Sequence, residues 1–142
     1  MYEIRKASAS EFAEIKAFLN EVPSIDDISE EILNNASILY LDNKIFGMIS
    51  FESFFNYALI RYFVFKRNVD ELVVKELFSS VEKSVVQKDI EYIFSLVNQD
   101  DIYNLFEGLD FKEIDKENVF IEEERYIESK FKDTKLMLKK VI

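Results

Sequence analysis

The sequence predicts a single α/β domain, and three observations predict it. An apolar stripe at helical spacing over residues 70–87 lies between two strand-like runs, 57–65 and 90–97. A turn signal, Asp42-Asn43-Lys44, joins two further apolar runs. A short capped helical segment beginning near Asn98 runs straight into a turn and another strand. No Pro/Gly/Ser-rich linker, internal repeat or low-complexity tract divides the 142 residues, so the expected domain is 1–142.

Taken in order, residues 2–7 alternate and suit a first strand. Ser8 or Ser10 then caps a helix over 9–21, where Phe12, Ile15, Phe18 and Leu19 share one face, and Pro23 stops it. Residues 25–34 are acidic, with Ile28, Ile32 and Leu33 spaced for a second short helix. Residues 37–41 read as a strand, 42–44 as a turn and 45–51 as its hairpin partner. After Phe54-Phe55-Asn56, the strand at 57–65 carries apolar residues on both faces, as a central strand does. Over 70–87, Val73, Val74, Leu77, Phe78, Val81 and Val85 form one stripe, with Glu71, Lys75, Glu82 and Lys83 opposite. A strand at 90–97 follows, then a helix with Ile102, Leu105, Phe106 and Leu109 at helical spacing, capped by Asn98 or Asp100. Late strands are expected at 111–114, 119–122 and 135–141.

Composition narrows the chemistry. The chain has no cysteine and no histidine, which excludes thiolate and imidazole catalysis, a His-containing triad and a nitrogen or sulfur zinc site. No metal is expected, and no acidic spacing matches a metal-binding loop. A net charge of −10, from 28 acidic and 18 basic residues, argues against nucleic acid or an anionic membrane surface as partner. The greasiest run, 54–65, is interrupted by Asn56 and Arg61 and is far short of the ~20 apolar residues of a spanning helix. The N-terminus lacks an apolar signal core, and the sequence therefore predicts a soluble cytoplasmic protein.

The segment Asn98-Gln99-Asp100-Asp101-Ile102-Tyr103-Asn104-Leu105-Phe106-Glu107-Gly108-Leu109-Asp110-Phe111 resembles one found near the end of the GNAT N-acetyltransferase superfamily. There, Asn, a short helix, an aromatic residue that is usually Tyr, and Gly-Phe open a strand. The run Asn43-Lys44-Ile45-Phe46-Gly47-Met48-Ile49-Ser50-Phe51 is similar to the family's hairpin with its lone glycine, and Met137-Leu138-Lys139-Lys140-Val141 to its final strand. The element order matches over essentially the whole chain. The resemblance implies a mixed central sheet of about seven strands flanked by about four helices. It also implies acetyl transfer from acetyl-CoA to a primary amine by direct attack in a ternary complex. Two residues depart from the pattern: Phe106 stands at the usual Tyr position and has no proton to give a departing thiolate, and Asp110 stands at the usual Gly.

In the family, backbone N–H groups of a glycine-rich loop and the following helix N-terminus hold the acetyl-CoA pyrophosphate. The corresponding run here, Val64-Phe65-Lys66-Arg67-Asn68-Val69-Asp70-Glu71-Leu72-Val73-Val74, contains no glycine. Val69 falls near the family's Arg/Gln position, and Leu72 and Val74 near its glycines. Asp70 and Glu71 satisfy the helix dipole and repel phosphate. Lys66 and Arg67 either contact phosphate oxygens or form a solvated strand end. The pantetheine arm lies in the family between two splayed strands, where the backbone of Phe63, Val64 and Phe65 and the side chain of Asn98 would meet it. Seven of the fifteen residues from 51 to 65 are aromatic, and these either pack the core or line a groove.

In the family the general base is commonly a Glu on the central strands, and the resemblance makes Glu52, closing the third strand, the candidate; the alternative is an exposed strand-end carboxylate. Arg61 lies mid-strand and requires a partner, either a structural ion pair or the substrate cleft. Tyr103, three residues before Phe106, is poorly placed to replace the missing hydroxyl. The acidic patches Asp26-Asp27-Glu30-Glu31 and Glu122-Glu123-Glu124 suit a polyamine or basic peptide, or simply solubility. Two functions follow: an acetyltransferase acting on an unknown amine, or an inactive protein of the same fold serving as a binding, regulatory or dimerisation module. Many relatives in the family pair through late strands or helices, so a homodimer is a further expectation.

Overall fold

The computed structural model describes residues 2–21, 28–67, 69–115, 120–121, 124–125 and 134–142. Among the described residues, four α-helices flank a seven-stranded mixed sheet of order β1-β2-β3-β4-β5-β9-β6. The strands are β1 (Tyr2–Lys6), β2 (Ser37–Leu41), β3 (Lys44–Phe54), β4 (Tyr57–Phe65), β5 (Tyr92–Val97), β6 (Lys112–Glu113), β7 (Phe120–Ile121), β8 (Glu124–Arg125) and β9 (Lys135–Lys140). The helices are α1 (Phe12–Asn20), α2 (Glu30–Asn34), α3 (Glu71–Gln87) and α4 (Asp100–Gly108). Among the described residues, no helix is long and apolar enough to cross a membrane.

Local chemistry sets the element ends. A 3₁₀ turn at Ala9–Glu11 leads into α1, and the Ser8 N–H donates to the Glu11 carboxylate (3.3 Å), as in a capping box. The Ser29 hydroxyl accepts the Ile32 N–H (3.2 Å) and starts α2. Asp42 and Asn43 both take left-handed φ values, 50° and 67°, which is the geometry of a two-residue hairpin turn between β2 and β3. Asp110, at the position where the resemblance leads one to expect glycine, is also left-handed (φ 72°). The turn therefore keeps the backbone that glycine favours, with a residue type that tolerates it.

The sheet buries both faces. Leu77, Phe78, Val81 and Val85 of α3 and Phe106 of α4 pack on Leu39, Ile49, Phe51, Ala58, Ile60 and Ile93. On the other face, Ile15, Phe18 and Leu19 of α1 and Leu33 of α2 cover Ile38, Tyr40, Ile45 and Met48. Two buried polar groups fix α2 to β3: Asn35 Nδ2 donates to the Phe51 carbonyl (2.9 Å) and Ser50 Oγ to that of Ile32 (2.6 Å). Each satisfies a group that would otherwise be costly to bury.

Several expected boundaries move. Gln99, not Asn98 or Asp100, occupies the N-cap of α4, and it makes no side-chain cap bond. The strand expected at 111–114 shortens to β6, with Lys112 and Glu113 in register with β9 and the Ile114 N–H still donating to the Leu136 carbonyl (3.0 Å). Of the strand expected at 119–122, the described residues 120 and 121 form β7, which pairs with β8 in a separate two-stranded sheet instead of joining the main one. The helix expected over 25–34 is described only as α2. Pro23, Asp26, Asp27, Asn68, Val119, Glu122 and Glu123 lie outside the described residues.

Candidate active site

The cleft forms where β4 and β5 part. These parallel neighbours pair only at Tyr57–Tyr92, Ala58–Ile93 and Leu59–Phe94. Beyond Leu59, β4 remains bonded to β3 while its other edge is released from β5. The divergence has a local cause. Between the Met48–Val64 and Ser50–Arg61 pairs, Tyr62 and Phe63 face the single residue Ile49, so β4 carries a bulge. Tyr62 sits there at φ 57°, a left-handed backbone that costs an aromatic residue energy. The bulge re-aims the rest of β4. Nothing in the sequence marks Tyr62 for this role, since its side chain is among the less suited to the conformation it adopts.

Past the bulge, Phe63 and Phe65 turn toward the α3 and α4 face, while Tyr62 and Val64 turn toward α1. The Phe63 ring lies 5.2 Å from Phe65 and 5.5 Å from Phe106 by centroid. Phe106, 1% exposed, also meets Phe78 and Phe111 edge-on. The cleft floor is thus a packed aromatic cluster, and Phe106 belongs to it as core. Phe65 needs Gly47 beneath it, because a Cβ on Gly47 would lie 2.3 Å from Phe65 Cδ1. The lone glycine of the hairpin is therefore a packing requirement.

The N-terminus of α3 is already filled. Asp70 Oδ1 accepts the Leu72 N–H at 2.8 Å, and the Asp70 carbonyl accepts those of Val73 (3.0 Å) and Val74 (3.1 Å). A carboxylate occupies the place where the family resemblance puts a phosphate. Val74 is buried in the core, Leu72 is exposed, and Val69 is half-buried beside Val73. Between α3 and α4 lies a hollow of about 330 Å³ whose rim carries Glu71 and Asp101. Asn98 is exposed after the end of β5. These residues do not form a diphosphate cradle.

Cations gather on the other side of the loop. The Lys66 N–H donates to the Phe46 carbonyl (2.9 Å), which ties the loop to β3. Lys66 Nζ lies 5.9 Å from the Phe18 ring and Arg67 Cζ 5.6 Å from that of Phe46.

Glu52 points to the α1 and α2 face, where its Oε1 meets Arg61 Nη1 at 2.5 Å. Arg61 therefore has a structural partner, and Glu52 has one oxygen committed to a guanidinium. The Tyr103 hydroxyl donates to Glu113 (3.1 Å), and desolvation followed by that bond raises its pKa above the ordinary 10.0. Its proton is held away from the cleft. A second polar cluster joins Tyr40, whose hydroxyl donates to Glu11 (2.5 Å), to Arg5, whose Nη1 meets Glu11 at 2.7 Å. The Ser8-x-x-Glu11 spacing signals Glu11 as a capping-box residue, but its long-range partners have no local signal.

No protein-family profile matches the chain, and no curated protein matches it by sequence. Solved structures do match. N-acetylglutamate synthase from Neisseria gonorrhoeae, complexed with coenzyme A and N-acetyl-glutamate, superimposes with a TM-score of 0.76 at 15% identity. That match covers 100% of this chain and 35% of the synthase, so the chain spans about a third of its length. A Mycobacterium tuberculosis protein in complex with CoA gives a TM-score of 0.74 at 14% identity, covering 99% of both chains. The ribosomal-protein-S18-alanine N-acetyltransferase from Escherichia coli gives 0.68 at 12% identity, covering 99% of this chain and 94% of its own. Together with the sheet order, these similarities and that to a GNAT-family acetyltransferase from Streptococcus pneumoniae (TM-score 0.66, 18% identity, covering 99% of both chains) show that the chain has the GNAT acetyltransferase fold.

Proposed function

We infer that this protein is an acyl-CoA-dependent N-acyltransferase with an altered cofactor anchor, acting on a primary amine. One observation carries the reading: β4 pairs with β5 only as far as Leu59, so that among the described residues the β5-facing edge at Phe63 to Phe65 meets no partner strand. Its peptide groups are fixed by β3 on one side and open to a ligand on the other. Structures of this fold have been solved with CoA. Acetyl-CoA would supply an activated acyl group there.

The chain's own residues supply less than the usual set. The backbone of Phe63 to Phe65 orients an extended amide-bearing arm, and the aromatic floor around Phe106 keeps water from beneath it. Phe106 offers no proton, so protonation of a leaving thiolate falls to water. Glu52 is the carboxylate assigned to take the proton of the incoming amine, with Arg61 orienting it. The residues at the start of α3 do not fit the diphosphate, and no part of the reading relies on them.

A second reading, a non-catalytic binding or dimerisation module of the same fold, is favoured by the Asp70 carboxylate on the α3 N-terminus. Isothermal calorimetry with acetyl-CoA and, separately, CoA distinguishes the two. Micromolar binding supports the transferase reading and justifies an amine screen. Absence of heat up to millimolar ligand, with the protein folded, overturns it.

A further inference from the structure

Three cations line one cavity at the end of the sheet. Lys44, Lys66 and Arg67 line a hollow of about 470 Å³ at the β2–β3 turn, with Asp42 on its rim and Leu41, Ile45 and Phe46 as an apolar wall. The chain has 28 acidic residues against 18 basic ones, so three cations about one hollow depart from the general surface. Their placement is also constrained. Lys66 and Arg67 directly follow Phe65, the last residue of the open β4 edge, and the Lys66 N–H is bonded to the Phe46 carbonyl. Each of these two cations is seated against an aromatic ring, Phe18 for Lys66 and Phe46 for Arg67. Lys44 and Lys66 also border a smaller hollow of about 220 Å³ that includes Glu14 and Glu21.

We propose that the Lys44, Lys66 and Arg67 cavity is an anion site that holds the phosphate groups of a nucleotide-bearing acyl donor, in place of the α3 N-terminus. The proposal rests on the acyltransferase reading for the identity of the donor. The α3 N–H groups of Leu72, Val73 and Val74 are consumed by Asp70, and Glu71 and Asp101 rim the hollow beside them. A polyanion leaving the β4 edge is repelled on that side and attracted on this one. Side-chain cations replace backbone donors, and the apolar wall offers a surface for a flat base.

The test is calorimetry on the full chain with three probes: acetyl-CoA, acetyl-pantetheine, which carries no phosphate, and adenosine 3′,5′-bisphosphate. The variants are the triple Lys44→Gln, Lys66→Gln, Arg67→Gln and the single Arg67→Gln. A triple Lys83→Gln, Lys88→Gln, Lys112→Gln changes net charge equally at a distance, and circular dichroism verifies folding. Loss of about tenfold or more in acetyl-CoA affinity in the cavity triple, with acetyl-pantetheine unchanged and the distant triple near wild type, is the expected result. Equal acetyl-CoA affinity in the wild type and the cavity triple overturns the site. If the wild type takes no acetyl-CoA but binds the bisphosphate, and the cavity triple loses it, the anion site stands and the acyltransferase reading falls. Failure of the wild type to bind either phosphorylated probe overturns the site as well.

Discussion

Asp70 Oδ1 lies 2.8 Å from the Leu72 backbone nitrogen, so the helix that begins the second half of the fold is closed by its own carboxylate. The contact stabilises α3 and at the same time withdraws its N-terminus from anion binding. Capping of α3 and anion binding at its N-terminus draw on the same N–H groups.

Replacing Asp70 by Ala separates these effects. Loss of the cap costs about 1 kcal/mol and lowers Tm by about 3 °C. The freed Leu72 N–H and the lost negative charge raise acetyl-CoA affinity. A thermal melt and a titration on the same preparation test this; a fall in both quantities would refute the competition.

Gly47 and Phe65 are a packed pair. A Cβ at residue 47 would meet the Phe65 ring at 2.3 Å, so Gly47→Ala forces the ring or β3 to shift and costs about 1–3 kcal/mol. In the Phe65→Leu background the same substitution costs less, because the obstructing ring is gone. A denaturant double-mutant cycle reads the coupling, and simple additivity would rule the contact out as the reason for the glycine.

Restoring the hydroxyl that the family resemblance leads one to expect is not a simple gain. Phe106 is 1% exposed among Phe63, Phe78 and Phe111. Phe106→Tyr inserts a hydroxyl into this cluster and destabilises the fold by about 1–3 kcal/mol if it finds no partner. Phe106→Ala costs about 3–5 kcal/mol by opening a cavity. Urea unfolding ranks them, and a fully stable Tyr variant would mean that the hydroxyl reaches a polar partner from residue 106.

The Arg5, Glu11 and Tyr40 cluster sets a pH dependence. The Tyr40 hydrogen bond, opposed by desolvation and aided by Ser8 and Arg5, holds the Glu11 carboxyl below its ordinary 4.5. A depressed folded value means that its contribution is complete above about pH 4.5 and lost as pH falls through the lower folded value. Tyr40 is raised above its ordinary 10.0, first by burial and then by the Glu11 bond. The unfolded chain therefore ionises first, and that contribution fades as pH rises through 10.0 toward the folded value. Tyr40→Phe should lower Tm at neutral pH and flatten both limbs of a Tm-against-pH curve. Limbs as steep as those of the wild type would show that the cluster does not control them.

The periodic elements were legible because their signals are local. The Val73 to Val85 stripe, the Asp42-Asn43 turn and the limits of β2 and β4 follow from side-chain spacing and backbone preference within a few residues. The missing glycines and Asp70 at the start of α3 were equally visible, since they are matters of residue identity. The paired strand ends were less so. Strand β6 depends on pairing with the distant β9, and β7 pairs with β8, neither of which any short window of sequence encodes.

By itself, then, the sequence determined the order and type of the elements apart from β8, the absence of thiol and imidazole chemistry, and the lack of glycine between β4 and α3. Only the tertiary structure decided where β4 leaves β5, that Tyr62 takes the left-handed position which turns it, that Arg61 is paired with Glu52, and that Lys44 joins Lys66 and Arg67 around one cavity. The reason is physical. Helical and strand periodicity are fixed by the covalent chain at short range, whereas a bulge, an ion pair and a cavity wall depend on which distant segments share a face of the sheet.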